Sequence, residues 1–221
     1  MTTTQIIIIV GAFAFFASAS AAQVREGVRQ LKEEHAAQEL KIYADCVASQ
    51  RADRSRVLAL APFGSDEQAK AAEGVTRSVD DPCIQGGFDN VRLSVRPDML
   101  AGAVARALVI RDYPDLPAVV DRAAVDAEAE RARAAQLSVA ERFGRCIVWN
   151  DAAGVQALLR ADPLTSAERA AIDGLKQDMG MCLQEGSTLR LDRTFVRNVT
   201  AVAAYRLAQQ LRPRGLGMER G

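Results

Sequence analysis

The chain has 221 residues, enough for one domain or two small ones with a buried core. Hydrophobic residues make up 49% of it and charged residues 25%, but aromatics only 5%, so the core must be built from small aliphatic side chains. Lys and Arg number 28, as do Asp and Glu, and the zero net charge leaves no basic excess to neutralise the phosphates of a nucleic acid or an anionic membrane.

Residues 5–22, QIIIIVGAFAFFASASAA, contain an apolar run from Ile6 to Ala17. About a dozen residues is the length of a signal-peptide core and falls short of the roughly 20 that span a bilayer. Small residues follow at Ala17-Ser18-Ala19 and Ser20-Ala21-Ala22, and the expected mature start is Gln23. No Lys or Arg precedes the run, whereas Arg25, Arg29 and Lys32 follow it. Left uncleaved, the segment would be a short anchor, and only then would the membrane be a partner.

Beyond this segment, Ala, Arg, Glu, Gln and Leu dominate, residues that lose little rotamer freedom in helices. The expected fold class is all-α. A long helix is predicted over about 24–50, with Val24, Val28, Leu31, Ile42, Cys46 and Val47 recurring at three or four residues. A short helix follows over Arg54–Leu60, stopped near Pro62, and another starts at Ser65 and ends before Cys83. Gly86-Gly87 marks a turn, and an apolar helix over about 97–112 closes this half before Tyr113-Pro114-Asp115-Leu116-Pro117.

The second half reads the same way. A helix over about 118–149 carries Cys146, with Ser138-x-x-Glu141 in capping-box form where it restarts. Ala152–Arg160 precedes Pro163, a helix starts at Thr165 or Ser166 and runs to Cys182, Gly186 marks a turn, and a last helix covers about 193–211.

The cysteines suggest why. Cys46 and Cys83 are 37 positions apart, and Cys146 and Cys182 are 36 apart. Tyr43, Cys46 and Val47 match Phe143, Cys146 and Ile147; Leu58, Pro62, Ser65 and Glu67 match Leu159, Pro163, Ser166 and Glu168. Cys83, Gln85, Gly87, Arg92 and Leu93 match Cys182, Gln184, Gly186, Arg190 and Leu191, at an offset of about 100 that drifts by a position or two. This ordered series reads as a tandem duplication of a roughly four-helix module. The expected organisation is a signal peptide at 1–22, modules at 23–113 and 114–211, and a flexible tail at 212–221.

In an oxidising compartment four cysteines read as two disulfides, for which three pairings exist. The duplication selects Cys46–Cys83 and Cys146–Cys182, one bond per copy, each contributing roughly 4 kcal/mol by loop-closure entropy. Metal binding fits poorly, because there is no C-x-x-C pair and His35 is the only histidine. No motif for a cofactor is present.

The search for chemistry finds little. His35 stands among Lys32, Glu33 and Glu34 as a surface residue, with no nucleophile marked beside it. No G-x-S-x-G, H-E-x-x-H or phosphate-binding loop occurs. Asp80-Asp81 and the carboxylates of Asp126–Glu130 read as solvated faces with local ion pairs. Arginines follow the second cysteine of each copy, at Arg92 and Arg96 and at Arg190, Arg193 and Arg197. Arg92 and Arg190 are candidates for a partner or anion contact; the competing role for these arginines is to hold carbonyls at a helix end. Trp149 is a second contact candidate, against a role as core plug of its module.

A helical C-V, an A-L-L near a Pro-bounded turn, S-x-E, C-L and a following Arg-containing, Ala-rich helix, traced from Phe143 to Arg206 and again from Tyr43 to Arg106, resemble a group of small exported bacterial proteins without assigned activity. The resemblance implies helical modules in the periplasm and no catalytic residues. The expected function is that of a periplasmic or secreted non-enzymatic protein that binds another envelope protein or supports the envelope. The alternatives are an enzyme whose site is assembled from dispersed carboxylates and arginines, and an inhibitor of a secreted hydrolase.

Overall fold

The structure is a computed structural model that describes residues 33–76, 81–84, 95–120, 127–186 and 188–212. The signal peptide expected at 1–22, the turn expected at Gly86-Gly87, Arg92 and the tail expected beyond Arg212 lie outside these residues. Eleven helices and no strand are found among the described residues: α1 (Glu33–Gln50), α2 (Ala52–Leu60), α3 (Asp66–Thr76), α4 (Pro97–Asp112), α5 (Leu116–Val119), α6 (Ala127–Ala135), α7 (Val139–Asn150), α8 (Ala152–Arg160), α9 (Ser166–Gly174), α10 (Lys176–Cys182) and α11 (Arg193–Leu211). By their contacts, residues from Ala37 onward form one unit and Met1–Ala36 another.

Local chemistry sets most helix ends. Pro97 opens α4 at a position where no intrahelical amide donor is needed. Ser138 and Glu141 form a full capping box at the start of α7, each side chain bonded to the other's backbone N–H. Asp151, Thr165 and Asp192 cap α8, α9 and α11 by accepting from the amides of Gly154, Glu168 and Phe195.

The turns after α2 and α8 are alike in detail. Both helices end on an extended alanine, Ala61 and Ala161, and both chains then pass through a left-handed residue, Gly64 at φ 75° and Leu164 at φ 63°. Ser65 Oγ accepts from Gln68 N at 3.1 Å, and Thr165 Oγ1 accepts from Glu168 N at 3.3 Å. The side chains of Gln68 and Glu168 reach back to the amides of Gly64 and Leu164, at 2.9 and 2.8 Å. This corrects the register read from the sequence: Ser65 corresponds to Thr165 and Gln68 to Glu168, one position away from the Ser166 and Glu168 assigned to Ser65 and Glu67. The two turns have the same hydrogen bonding although their residues differ, because Ser or Thr, Gln or Glu, and Gly or Leu all fill it.

Two other expectations are corrected. Ile42 is 38% exposed, because the buried stripe of α1 is centred on Tyr43, Ala44, Val47 and Ala48, one step round the helix. The helix expected to reach Cys182 unbroken is interrupted at Leu175, which is wholly buried at ψ −1° and separates α9 from α10.

The two closing helices form the centre. In α4 and α11 burial runs all round the helix, as expected of an element with neighbours on every side. They cross where Gly102 meets Asn198, and a Cβ at Gly102 would collide with that side chain. On its other side α11 meets α7 at Gly144, where a Cβ would stand 2.7 Å from the Val199 carbonyl oxygen. Around this pair, α2 packs on α3, α4 and α11, and α8 packs on α5, α9, α11 and α4. The halves therefore share one core, from Tyr43 and Leu58 through Leu100 and Leu108 to Phe143, Leu159 and Tyr205.

Cys46–Cys83 ties α1 to the turn at 81–84, and Cys146–Cys182 ties α7 to the end of α10, with Cα atoms 5.5 and 5.6 Å apart. Among the described residues no helix is long and apolar enough to cross a membrane.

Candidate functional site

Lone arginines on apolar helices mark where to look, since a buried guanidinium needs acceptors. Arg206 of α11 and Arg145 of α7 line a depression together with Val199, Val202, Ala203, Phe63, Leu137, Glu141 and Gln210. Phe63 comes from the turn after α2, so this depression lies on the seam between the two halves.

Its charges are paired with one another. Glu141 Oε1 accepts from the Phe63 amide at 3.0 Å and from Arg206. Glu141 Oε2 accepts from Ser138 N at 3.0 Å and Ser138 Oγ at 2.9 Å. Burial pushes the Glu141 carboxyl up, but the amides of Phe63 and Ser138, with Arg206 and the Ser138 hydroxyl, outweigh it and hold the group below its ordinary value. Arg145 grips both oxygens of Glu130 and donates to Gln210 Oε1 at 2.7 Å. Phe195 stacks against Phe143 and receives the edge of Phe63, closing the seam beneath the charges.

A second charged contact crosses the seam in the other direction. Arg106 of α4 donates to the Leu159 carbonyl at 3.0 Å and to Asp45 at 2.7 Å, while Lys41 stands 3.7 Å from Asp162. Nearby, Arg197 joins Glu168 at 2.7 Å and the Ala161 carbonyl at 2.5 Å. Burial lowers the Arg197 pKa and the bond to Glu168 opposes it. Gln68, the counterpart of Glu168, has its Nε2 buried without a partner among the described residues. The two halves share a turn and differ in what they bury behind it.

The residues singled out from sequence fall in different places. The four cysteines are joined in the expected pairs. Arg190 is exposed on the approach to α11, 3.9 Å from Asp192. Trp149 is half-buried against the core. His35 is exposed. Holding carbonyls at a helix end describes Arg197, with Arg106, Arg51 and Arg54 doing the same for the ends of α8 and α3.

Two of the acidic candidates are corrected: Asp81 and Glu130 are buried rather than solvated, while Glu128 is exposed and Asp80 and Asp126 lie outside the described residues. Asp81 accepts from Tyr43 OH at 2.9 Å, from Arg51 at 3.0 and 2.7 Å, and from Cys83 N at 3.0 Å. Burial, reinforced by that carboxylate, raises the Tyr43 pKa well above the ordinary phenol range. Sequence marked Glu141 only as a helix cap; its bonds to Phe63 and Arg206 join positions 78 and 65 residues away, beyond any local pattern.

Chemically, the seam holds saturated carboxylates and committed guanidinium groups, an arrangement suited to fixing two halves in register. No group of three or more His, Cys, Asp or Glu arranged to hold a metal ion occurs among the described residues. No protein-family model, curated protein or solved structure matches this chain.

Proposed function

We propose that this is an exported, non-enzymatic helical protein that acts in the periplasm or outside the cell by binding another envelope protein. The observation that carries the reading is how the charges of the seam are used. Both oxygens of Glu141 and of Glu130 are occupied by protein donors, and Glu141 is held ionised rather than poised between states. General acid or base work needs a group whose proton is easily gained or lost near the working pH, so the enzyme reading draws no support from this site. The two disulfides support an oxidising compartment.

The chain is proposed to be matured by loss of residues 1–22 and to descend from a duplicated module. The matching turns at Gly64 and Leu164 and the matching disulfide spans of 37 and 36 residues support that descent. Duplication supplies two similar surfaces on one rigid body, which suits a binding protein.

The test is capture under oxidising conditions, with the intact, doubly disulfide-bonded protein as bait in an envelope extract. Recovery of the same envelope protein in independent preparations, at near-stoichiometric yield and with direct binding when both are purified, supports the proposal. An empty bait, or turnover of a hydrolase or transferase substrate by the purified protein, would overturn it.

A further inference from the structure

We infer that Cys146–Cys182 is a redox-sensitive latch, opened by a dithiol reductant before Cys46–Cys83 because Asn150 steadies the thiolate that leaves. Asn150 sits one turn beyond Cys146 on α7. Its Nδ2 lies 3.6 Å from Cys146 Sγ and 3.5 Å from Cys182 Sγ, so one amide addresses both sulfurs. An N–H donates weakly to a neutral sulfur and much more strongly to a thiolate. It therefore stabilises the departing thiolate and makes it a better leaving group.

The first disulfide is dressed differently. The position one turn beyond Cys46 is Gln50, which is exposed, and among the described residues no side-chain donor lies on Cys46 Sγ or Cys83 Sγ. The buried polar group beside it is the Asp81 carboxylate, which takes the Cys83 amide and is otherwise filled by Tyr43 and Arg51.

The step balances as thiol–disulfide exchange. Cys182 is 7% exposed and Cys146 is the more accessible of the two, so a thiolate of the reductant attacks Cys146 Sγ. The S–S bond breaks, and its electron pair goes to Cys182 Sγ, beside the Asn150 amide. The second thiol of the reductant then attacks its own sulfur in the mixed disulfide and releases Cys146. The reductant, a dithiol of the thiol–disulfide oxidoreductase class, becomes a disulfide; the protein takes up two electrons and two protons. Helix α10, which packs chiefly on α7 and buries Met179, then loses its covalent tie to that helix. The first half stays locked.

Full-length oxidised protein is equilibrated across a graded series of reduced and oxidised dithiothreitol. Thiols are trapped by alkylation, and each bond is quantified by peptide mass spectrometry while helicity is followed by circular dichroism. Cys146–Cys182 is expected to open at a reduced-to-oxidised ratio about tenfold lower than Cys46–Cys83, the effect of one hydrogen bond to a charged group. Asn150→Asp replaces the donor with a negative charge and should make Cys146–Cys182 harder to reduce, with Cys46–Cys83 unmoved. A merely structural Asn150 predicts the opposite sign, because weakening the fold around a disulfide makes it easier to open. The inference fails if the first bond opens first or together with the second, if neither opens before helicity is lost, or if Asn150→Asp eases reduction.

Discussion

Glu141 shows what one side chain does in this protein. Its carboxylate caps α7 through Ser138, takes the Phe63 amide from the opposite half and pairs with Arg206. Because its folded pKa is depressed, its contribution is complete above the unfolded value and is lost as pH falls through the folded one. Acid should therefore loosen the seam below about pH 4.5, the ordinary glutamate range. Glu141→Gln should cost about 2 kcal/mol at neutral pH, since an amide cannot serve every donor the carboxylate serves. Equilibrium unfolding measured from pH 7 to pH 3 should show the variant and the native protein converging at the acid end. Parallel curves would mean the carboxylate adds nothing as an ion. A different residue-scale cost sits at Leu164, a non-glycine in the left-handed region, where the turn after α8 is held by Thr165 and Glu168 despite the strain.

At the scale of elements, what matters is how closely Ala-rich helices approach. With few aromatics, α4, α7 and α11 fill space by bringing backbones together, and Gly144 is where α7 meets the backbone of α11 at Val199. Gly144→Ala gains helix propensity on its own segment, yet the new methyl meets a carbonyl oxygen that cannot swing aside. The expected result is a net loss of about 2 kcal/mol in denaturant unfolding, with the crossing widened. An unchanged or raised stability would show the crossing to be looser than the geometry states. Helix limits themselves were largely legible: Ala152–Arg160, Pro97–Asp112 and Arg193–Leu211 follow from Pro97, Asp192 and the apolar runs between them. The break at Leu175 was not, although Gly174 beside it is a poor helix former; at the break Leu175 is wholly buried.

For the whole molecule, α4 and α11 are each other's main packing surface, and Arg106, Glu141 and Phe63 reach across the seam. A chain read as two modules should therefore unfold as one. A single calorimetric transition is expected, with equal van't Hoff and calorimetric enthalpies, and a fragment ending at Pro114 should lack stable helical structure. Two resolved transitions, or a folded fragment, would show that each half carries a sufficient core of its own. The cysteine pairs are distributed accordingly: one ties α1 to the turn at 81–84, the other ties α7 to α10, and neither crosses the seam, which is left to packing and buried charge.

Sequence alone determined what depends on neighbours along the chain or on simple counting. Helical composition, the capping box at Ser138, the proline stops and the pairing of four cysteines are of this kind, because propensity, caps and loop closure act over short or countable distances. The tertiary structure alone decided which residues fill matching places in the turns after α2 and α8, the burial of Asp81 and Glu130, and the partners of Glu141. It also decided that the halves share a core. These depend on which surfaces meet after folding, where a missing Cβ at Gly144 or the backbone amide of Phe63 settles the geometry, and neither announces itself in the order of the residues.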